Sequence, residues 1–195
     1  MPKVTFDISM SLDGFITAAN QTRDEPLGHG GERLHDWAFG KDPRDREVLT
    51  GGVGSIGAVI TGRRNYDDSM PWWGADGPTG EVRLPVFVVT HDRPKDSPEG
   101  GVYTFVTDGL ERAVELAKEA AGEKDVTVMG GAQIGQQYIT AGLVDELSIH
   151  LVPVLFGSGT RMFDSLGLGE GHVQLENAGS LQTDAATHLR FRIVK

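Results

Sequence analysis

Cysteine is absent from this chain of 195 residues. Its absence excludes a disulfide scaffold, zinc or iron–sulfur sites held by cysteine, and catalysis by a thiol. The first residues lack the charged and apolar segments of a signal peptide, and no apolar run approaches the ~20 residues of a membrane helix. We therefore expect a cytoplasmic protein, with one domain spanning residues 1–195.

Positive charge is also scarce. The 18 Lys and Arg against 28 Asp and Glu give a formal net charge of −10, which disfavours nucleic acid and anionic membranes as partners. An anionic cofactor stays compatible, because a small pocket needs only a few local cations. The six histidines form no pair four residues apart, and the zinc motif HExxH and the phosphate-binding motif GxxxxGK[ST] are missing. We therefore expect neither a metal site, nor a P-loop ATPase, nor a Rossmann dehydrogenase with its GxGxxG fingerprint.

The apolar patterns predict an α/β fold. Alternating or continuous apolar runs predict strands at residues 4–10, 58–61, 86–90, 102–106, 126–129, 147–154, 173–181 and 188–194. Helical periodicity predicts helices at residues 46–56, 64–69, 108–121 and 132–141, with Asp108 as an N-cap. Residues 20–45 are predicted as a long loop with one helical turn, and Gly157-Ser158-Gly159 as a hairpin-like loop. The order of elements indicates a parallel sheet that is finished by an antiparallel edge.

Three of the predicted strands end in similar residues. The strand at 58–61 leads into Gly62, Arg63 and Arg64, the strand at 86–90 leads into His91 and Arg93, and the strand at 126–129 leads into Gly130-Gly131. Helix N-termini that follow such strands offer unpaired N–H groups and partial positive charge, which suit phosphate. The alternative is that the arginines are ordinary surface charges and the glycines only form turns.

Three acidic residues are candidates for catalysis. Asp7 lies within an apolar strand, where a carboxylate must be paired or face a polar cavity, although a solvated strand face is equally compatible. Asp13 fits a turn residue better than a catalyst, and Asp36 fits either a pocket acid or an exposed helix residue. Loop aromatics could stack on a planar ligand but more often pack in cores; these are Trp37, Phe39, Trp72 and Trp73.

Several segments of the chain, in the same order, resemble the dihydrofolate reductase superfamily. The segments are Ser9-Met10-Ser11-Leu12-Asp13-Gly14-Phe15-Ile16, Thr61-Gly62-Arg63-Arg64-Asn65-Tyr66, Val128-Met129-Gly130-Gly131-Ala132-Gln133, Gly142-Leu143-Val144-Asp145-Glu146-Leu147, and Pro153-Val154-Leu155-Phe156-Gly157-Ser158-Gly159 with Met162-Phe163. The chain is most similar to the reductase (C-terminal) domain of the bifunctional riboflavin-biosynthesis deaminase–reductase and its stand-alone relatives. The deaminase domain and its zinc ligands have no counterpart here.

The resemblance implies a dihydrofolate reductase-like α/β fold, in which helices flank a central, mostly parallel, eight-stranded mixed sheet with an antiparallel C-terminal edge. It also implies NADPH as cofactor, a homodimer, and a cis bond between Gly130 and Gly131. The cofactor-binding positions would be Ser9, Ile16, Thr17 and Met129 at the nicotinamide, Thr61, Gly62, Arg63, Arg64 and Asn65 at the phosphates, Thr90, His91 and Arg93 at the 2′-phosphate, and Ala132, Gln133 and Ile134 over the pyrophosphate.

The substrate side departs from folate reductases. Asp36 is the one residue near their proton-donating acid, whereas Asp7 occupies a strand position that is apolar in those enzymes and would face the substrate. We assign Asp7 and Asp36 as catalytic candidates, and Asp7, Trp37 and Tyr66 as substrate contacts. The expected reaction is hydride transfer from NADPH to a C=N or C=O group of a small pyrimidine- or pterin-like substrate. An acid acting near neutral pH needs a raised pKa, which burial of Asp7 would supply.

Two alternatives to a reductase remain from the sequence. One is a module that binds NADP(H) or another small molecule without catalysis, because no proton donor is assured. The other, weaker alternative is a partner-binding protein with degenerate pockets. Saturable NADPH binding and NADPH oxidation would separate the three hypotheses.

Overall fold

The computed structural model describes residues 2–164 and 166–195. Within them the chain forms ten strands and five α-helices, with 3-10 turns at Gly31–His35 and Gly80–Val82. In chain order the elements are β1 (Val4–Ser11), β2 (Phe15–Ala18), α1 (Asp36–Phe39), α2 (Pro43–Ser55), β3 (Ile56–Gly62), α3 (Arg63–Trp73), β4 (Val86–Val89), β5 (Tyr103–Val106), α4 (Leu110–Ala121), β6 (Asp125–Met129), α5 (Ala132–Thr140), β7 (Glu146–Val152), β8 (Gly159–Arg161), β9 (Leu175–Gln182) and β10 (Thr187–Ile193).

Eight of these strands make one sheet, in the order β5-β4-β3-β6-β1-β7-β10-β9. The pairs from β5 to β7 are parallel, and β10 runs antiparallel to both β7 and β9. This arrangement confirms the predicted dihydrofolate reductase-like class, a mostly parallel sheet with an antiparallel C-terminal edge. It also places the ends of β4, β3, β6 and β1 side by side at the carboxyl edge, where α/β sheets bind ligands.

The two faces of the sheet are covered differently. Alternate residues of β1 such as Val4 and Phe6 pack with α4 and α5 in the largest apolar cluster. On the opposite face, Tyr66 of α3 packs against β3 and β4, while Trp37 of α1 packs against the end of β7. The odd-numbered residues of β1 point to the face that carries α3 and α1, because side chains alternate between faces along a strand. Asp7 is one of them.

Several local predictions are corrected. The predicted loop at 157–159 leads into β8, which pairs with β2; neither of these short strands has the apolar alternation that signals a strand. The N-cap of α4 is Gly109 and not Asp108, and no side chain caps this helix. Residues 52–57 have the GxGxxG spacing of a dinucleotide fingerprint, but they run from helix to strand, which is the reverse of that motif.

In the described part of the chain, no helix has the length and apolar character needed to cross a lipid bilayer.

Candidate functional site

Three neighbouring strands end beside one another, and we call their ends the strand-end cradle (residues 61–65, 90–93 and 130–134). Thr61 pairs with Val88 of β4 on one side and with Met129 of β6 on the other. The three segments singled out from the sequence therefore meet in space. Their order in the sheet, β4-β3-β6, could not be read from the sequence.

Two helix N-termini open into the strand-end cradle. Helix α3 begins after Gly62 and helix α5 after Gly131, and neither N-cap residue offers a side-chain hydrogen bond to the first turn. An added Cβ at Gly131 would meet no atom within 4 Å, so this approach is open. Uncapped N–H groups and the partial positive charge of both helices make this place suited to an anion.

Gly130 connects β6 to the second helix. Its φ of 128° is one that glycine adopts without strain, and no peptide bond between described residues is cis. The predicted cis bond between Gly130 and Gly131 is therefore wrong: the positive φ makes the turn with trans bonds. An added Cβ would lie 3.0 Å from the Asn65 side chain, whose amide donates to Thr61 Oγ1 at 2.9 Å.

The three arginines differ in how they are engaged. The Arg63 guanidinium donates to both carboxylate oxygens of Asp67 at 2.8 Å and to the carbonyl of Asp92 at 2.9 Å. Arg64 keeps 81% of its side chain exposed and lies 3.7 Å from Asp68. Arg93 is exposed, and no ion pair joins it to another described residue. Arg93 is thus the cation most open to a ligand.

The remaining predicted cofactor positions separate into buried and exposed residues. Thr90 is buried and donates to the carbonyl of Asp92 at 2.7 Å, which shapes the loop after β4. Ser9, Ile16, Thr17, Ala132 and Ile134 are buried, Met129 is half-buried, and His91 and Gln133 are exposed. The structure therefore leaves the last two side chains accessible and uses most of the others to build the walls.

Asp7 lies directly beside the strand-end cradle. It is the Cα partner of Met129 on β6 and of Ser148 on β7, so Thr61, Met129 and Asp7 form one row across three strands. The side chain keeps 42% of its surface exposed, and its Oδ2 lies 3.3 Å from His150 Nε2. A partly exposed carboxylate thus stands next to the proposed anion site.

The predicted raised pKa of Asp7 is corrected. Burial alone acts to raise the pKa, but the contact with His150, the hydroxyl of Ser148 and the charge of Arg190 together hold the pKa below its ordinary value of 3.8. Asp7 is therefore ionised at neutral pH. A proton that it passes to a substrate must first reach it from a neighbour.

The other substrate-side candidates are placed less favourably. Asp36 is exposed. Trp37 is 5% exposed and donates from Nε1 to Ser9 Oγ at 3.0 Å, and Tyr66 is 1% exposed in a cluster with Tyr103 and Phe105. The two rings therefore pack in the interior, and their assignment as substrate contacts stays a prediction.

A polar cluster behind Asp7 was missed by the sequence analysis. His150 Nδ1 lies 2.7 Å from His188 Nδ1, and His188 Nε2 lies 2.8 Å from Asp45 Oδ1. The two histidines face each other on β7 and β10 only because these strands pair in antiparallel register. No sequence signal places Asp45, at the start of α2, over these strands.

Asp13 holds the loop between β1 and β2 to the segment before β8, as its turn position predicted. It accepts hydrogen bonds from Ser11 Oγ at 2.6 Å, from the N–H of Phe156 at 3.2 Å and from the N–H of Gly157 at 2.7 Å. Burial acts to raise the pKa of Asp13, but these donors outweigh it and lower the pKa below 3.8.

The lowered pKa of Asp13 predicts a pH-dependent contribution to stability. A depressed pKa stabilises the fold above the ordinary value of 3.8, and this stabilisation is lost as the pH falls through the folded-state pKa. We expect Asp13→Asn to lower the free energy of unfolding by about 1 kcal/mol at pH 7. Urea unfolding should show this difference constant above about pH 5 and shrinking below it. A difference that grows on acidification would contradict the assignment.

The comparisons with known proteins agree with this geometry. The family model described as the RibD C-terminal domain matches residues 2–189. The uncharacterised protein YyaP of Bacillus subtilis (strain 168) is 26% identical over 170 residues, which cover 83% of this chain and 80% of that protein.

Two solved structures share the fold. A putative riboflavin biosynthesis protein from Shewanella sp. PV-4 superimposes with a TM-score of 0.73 and 22% identity, covering 100% of both chains. Dihydrofolate reductase from Enterococcus faecalis, complexed with NADP(H) and RAB-propyl, superimposes with a TM-score of 0.58 and 15% identity, covering 99% of this chain and 97% of that one. With the family model spanning almost its whole length, the chain belongs to the family of the RibD C-terminal domain.

Proposed function

We propose that the protein is an NADPH-dependent reductase that adds a hydride to a C=N or C=O group of a small pyrimidine- or pterin-like substrate. One observation carries this proposal: the row of Thr61, Met129 and Asp7 joins the strand-end cradle to a carboxylate that is 42% exposed. An anion-binding place and a proton-handling group thus lie on adjacent strands. Hydride transfer with protonation requires that combination.

The residues of the strand-end cradle fit a phosphorylated dinucleotide. The uncapped N-termini of α3 and α5 would hold the pyrophosphate, with the open approach at Gly131, and Arg93 would hold the 2′-phosphate. When bound, the nicotinamide would supply the hydride. The Enterococcus faecalis dihydrofolate reductase that shares the fold was solved with NADP(H), which supports the choice of cofactor.

The protein's own contribution is position and a proton. Asp7 faces the space next to the strand-end cradle, and its carboxylate accepts hydrogen bonds from N–H groups such as those of an aminopyrimidine or a pterin. Ser9, two residues further along the same face of β1, accepts a hydrogen bond from the buried Trp37. Membership in the RibD C-terminal family supports a substrate of the pyrimidine class.

The proposal is tested by binding and by turnover. Calorimetry should detect saturable NADPH binding, and loss of NADPH absorbance should follow addition of at least one member of a panel of folates, pterins, aminopyrimidines and activated carbonyls. Binding without oxidation would replace the reductase by a non-catalytic NADP(H)-binding module. Absence of binding would overturn both.

Arg93 should set the preference for NADPH over NADH. A charge-assisted hydrogen bond to the 2′-phosphate contributes about 1.5–3 kcal/mol, so Arg93→Ala should weaken NADPH binding by about tenfold or more and leave NADH binding unchanged. Arg192→Ala is the matched control, because Arg192 is an exposed arginine on β10, toward the other edge of the sheet from β4. Equal Kd values of the unchanged protein for both nucleotides would contradict the placement.

A further inference from the structure

A chain of buried polar contacts runs from Asp7 into the protein. Asp7 Oδ2 lies 3.3 Å from His150 Nε2, the two Nδ1 atoms of His150 and His188 lie 2.7 Å apart, and His188 Nε2 lies 2.8 Å from Asp45 Oδ1. His150, His188 and Asp45 are 4%, 7% and 1% exposed. Asp7 is the one member that reaches the open space beside the strand-end cradle.

The contacts between these four side chains limit where their protons can lie. Two neutral imidazoles carry two N–H groups in total. Three contacts need a donor: one to Asp7, one between the rings, and one to Asp45. One proton therefore lies between the rings, because two lone pairs facing each other at 2.7 Å would repel. A set of contacts that also donates to both carboxylates carries three protons in all.

The surroundings favour the third proton and the positive charge that it brings. Asp45 is a buried carboxylate whose Oδ2 has no hydrogen-bond partner in the described part of the chain, so its charge must be balanced by a nearby cation. The Trp37 ring lies 4.1 Å from that of His150 and 4.9 Å from that of His188, between centroids. The indole keeps water from the pair, so the proton between the rings is held within the protein.

Other charged groups face these four side chains from the neighbouring helices and strands. His35 lies next to it, and burial first, then the proximity of His150, lower the pKa of His35, so His35 does not supply the cation near pH 7. The remaining groups are Asp36 on α1, Arg190 on β10, and Arg44 and Asp42 at the start of α2 beside Asp45. A metal ion is a poorer explanation, because no three His, Asp or Glu side chains of the described residues converge as ligands do.

The Asp45 end of this set of contacts lies near the protein surface. Thr183 donates from Oγ1 to Asp45 Oδ1 at 2.8 Å. Thr183 also lines a depression of about 340 Å³ at the turn between β9 and β10, together with Gln182 and Asp184. Thr183, which is 7% exposed, thus fixes the position of Asp45 at the end of this set of contacts.

We propose that His150, His188 and Asp45 form a proton relay that ends at Asp7 and supplies the proton taken up by the reduced substrate. This inference rests on the proposed reductase function. The substrate nitrogen or oxygen takes a proton from Asp7, Asp7 takes one from His150 Nε2, and the proton between the rings moves onto His150. The relay loses one proton in each turnover. After the product leaves, the partly exposed Asp7 takes a proton from solvent and returns it to His150 Nε2, while the proton on His150 Nδ1 moves back between the rings.

The relay can be tested in the protein without cofactor. With ¹⁵N-labelled histidine, NMR should show a far-downfield ring N–H proton from the short bond between His150 and His188. The signal should vanish in His150→Gln and His188→Gln, and it should persist in His172→Gln, which alters an exposed loop histidine. A wild-type spectrum without this signal overturns the relay, whatever the reductase assay gives.

Turnover then tests the use of the relay. Glutamine at position 150 keeps an N–H donor near Asp7 but cannot pass a proton, so His150→Gln should lower kcat on the order of 10²-fold with the KM for NADPH unchanged. Asp45→Asn keeps the shape of the buried carboxylate and should give a smaller loss of kcat. Unchanged kcat in both variants, with both folded, overturns the relay. A wild type that shows the NMR signal but reduces no compound overturns the proposed function, and with it the catalytic use of the relay.

Discussion

Asp7→Asn is expected to lower turnover by about 10²–10⁴-fold, the usual contribution of a positioned acid or base. Asparagine keeps the size of the side chain and its place in the row with Thr61 and Met129, but it cannot take a proton from His150 and pass it on. The Kd for NADPH should stay within error, because the strand-end cradle is built from other strands. Stopped-flow NADPH oxidation and calorimetry measure the two quantities.

Asp36→Asn is the matched comparison for Asp7→Asn. Asp36 is exposed, and its removal should leave turnover nearly unchanged. If Asp36→Asn abolished turnover and Asp7→Asn did not, the proton donor would lie on α1, as in the folate reductase arrangement that the resemblance implies. The two variants therefore decide between the two acids proposed from the sequence.

Gly159→Ala is expected to destabilise the fold by about 3–5 kcal/mol, from backbone strain and a steric clash together. Gly159 has φ 137° at the point where β8 pairs with β2. An added Cβ would fall on the backbone oxygen of Thr17 and within 2.9 Å of the carbonyl carbon of Ala18. Because both are backbone atoms, no side-chain rotation relieves the contact, and β2 must separate from β8.

Gly157→Ala separates the two causes. Gly157 also has a positive φ, 71°, but an added Cβ there would meet nothing within 4 Å. This variant should cost only about 1 kcal/mol, the penalty of a left-handed backbone for alanine. Urea unfolding midpoints give both values, and equal losses would show that contact with Thr17 is unimportant. Gly159→Ala should also weaken NADPH binding, since Ile16 and Thr17 lie on β2.

Features encoded by neighbouring residues were predictable from the sequence. The apolar runs gave the strands of the sheet, and the glycine and arginine residues after them located the strand-end cradle. The same local patterns were misleading where a short element depends on its partner. β2 and β8 are only 4 and 3 residues long and exist because they pair with each other.

The chemistry of Asp7 lay beyond the sequence for a related reason. Its position in an apolar strand indicates burial and therefore a raised pKa, but the donors that reverse the shift come from β7 and β10, 141 or more residues later in the chain. His150 and His188 signal nothing by spacing, since they become neighbours only through antiparallel pairing. The pairing of β1 with distant strands therefore determines the protonation state of Asp7, and the residues near Asp7 in the sequence do not indicate it.

The carboxyl edge of the sheet is divided between two groups of segments. The strand-end cradle is built from β3, β4 and β6. The proton relay is built from β1, β7, β10 and α2, and the two parts meet where Met129 pairs with Asp7. Because of this division, residues on the Asp7 side can change while the strand-end cradle stays the same. Laboratory evolution of residues 34–48 and 183–190 that keeps Asp45 and His188 unchanged should therefore diversify the compounds that are accepted and leave nucleotide recognition intact.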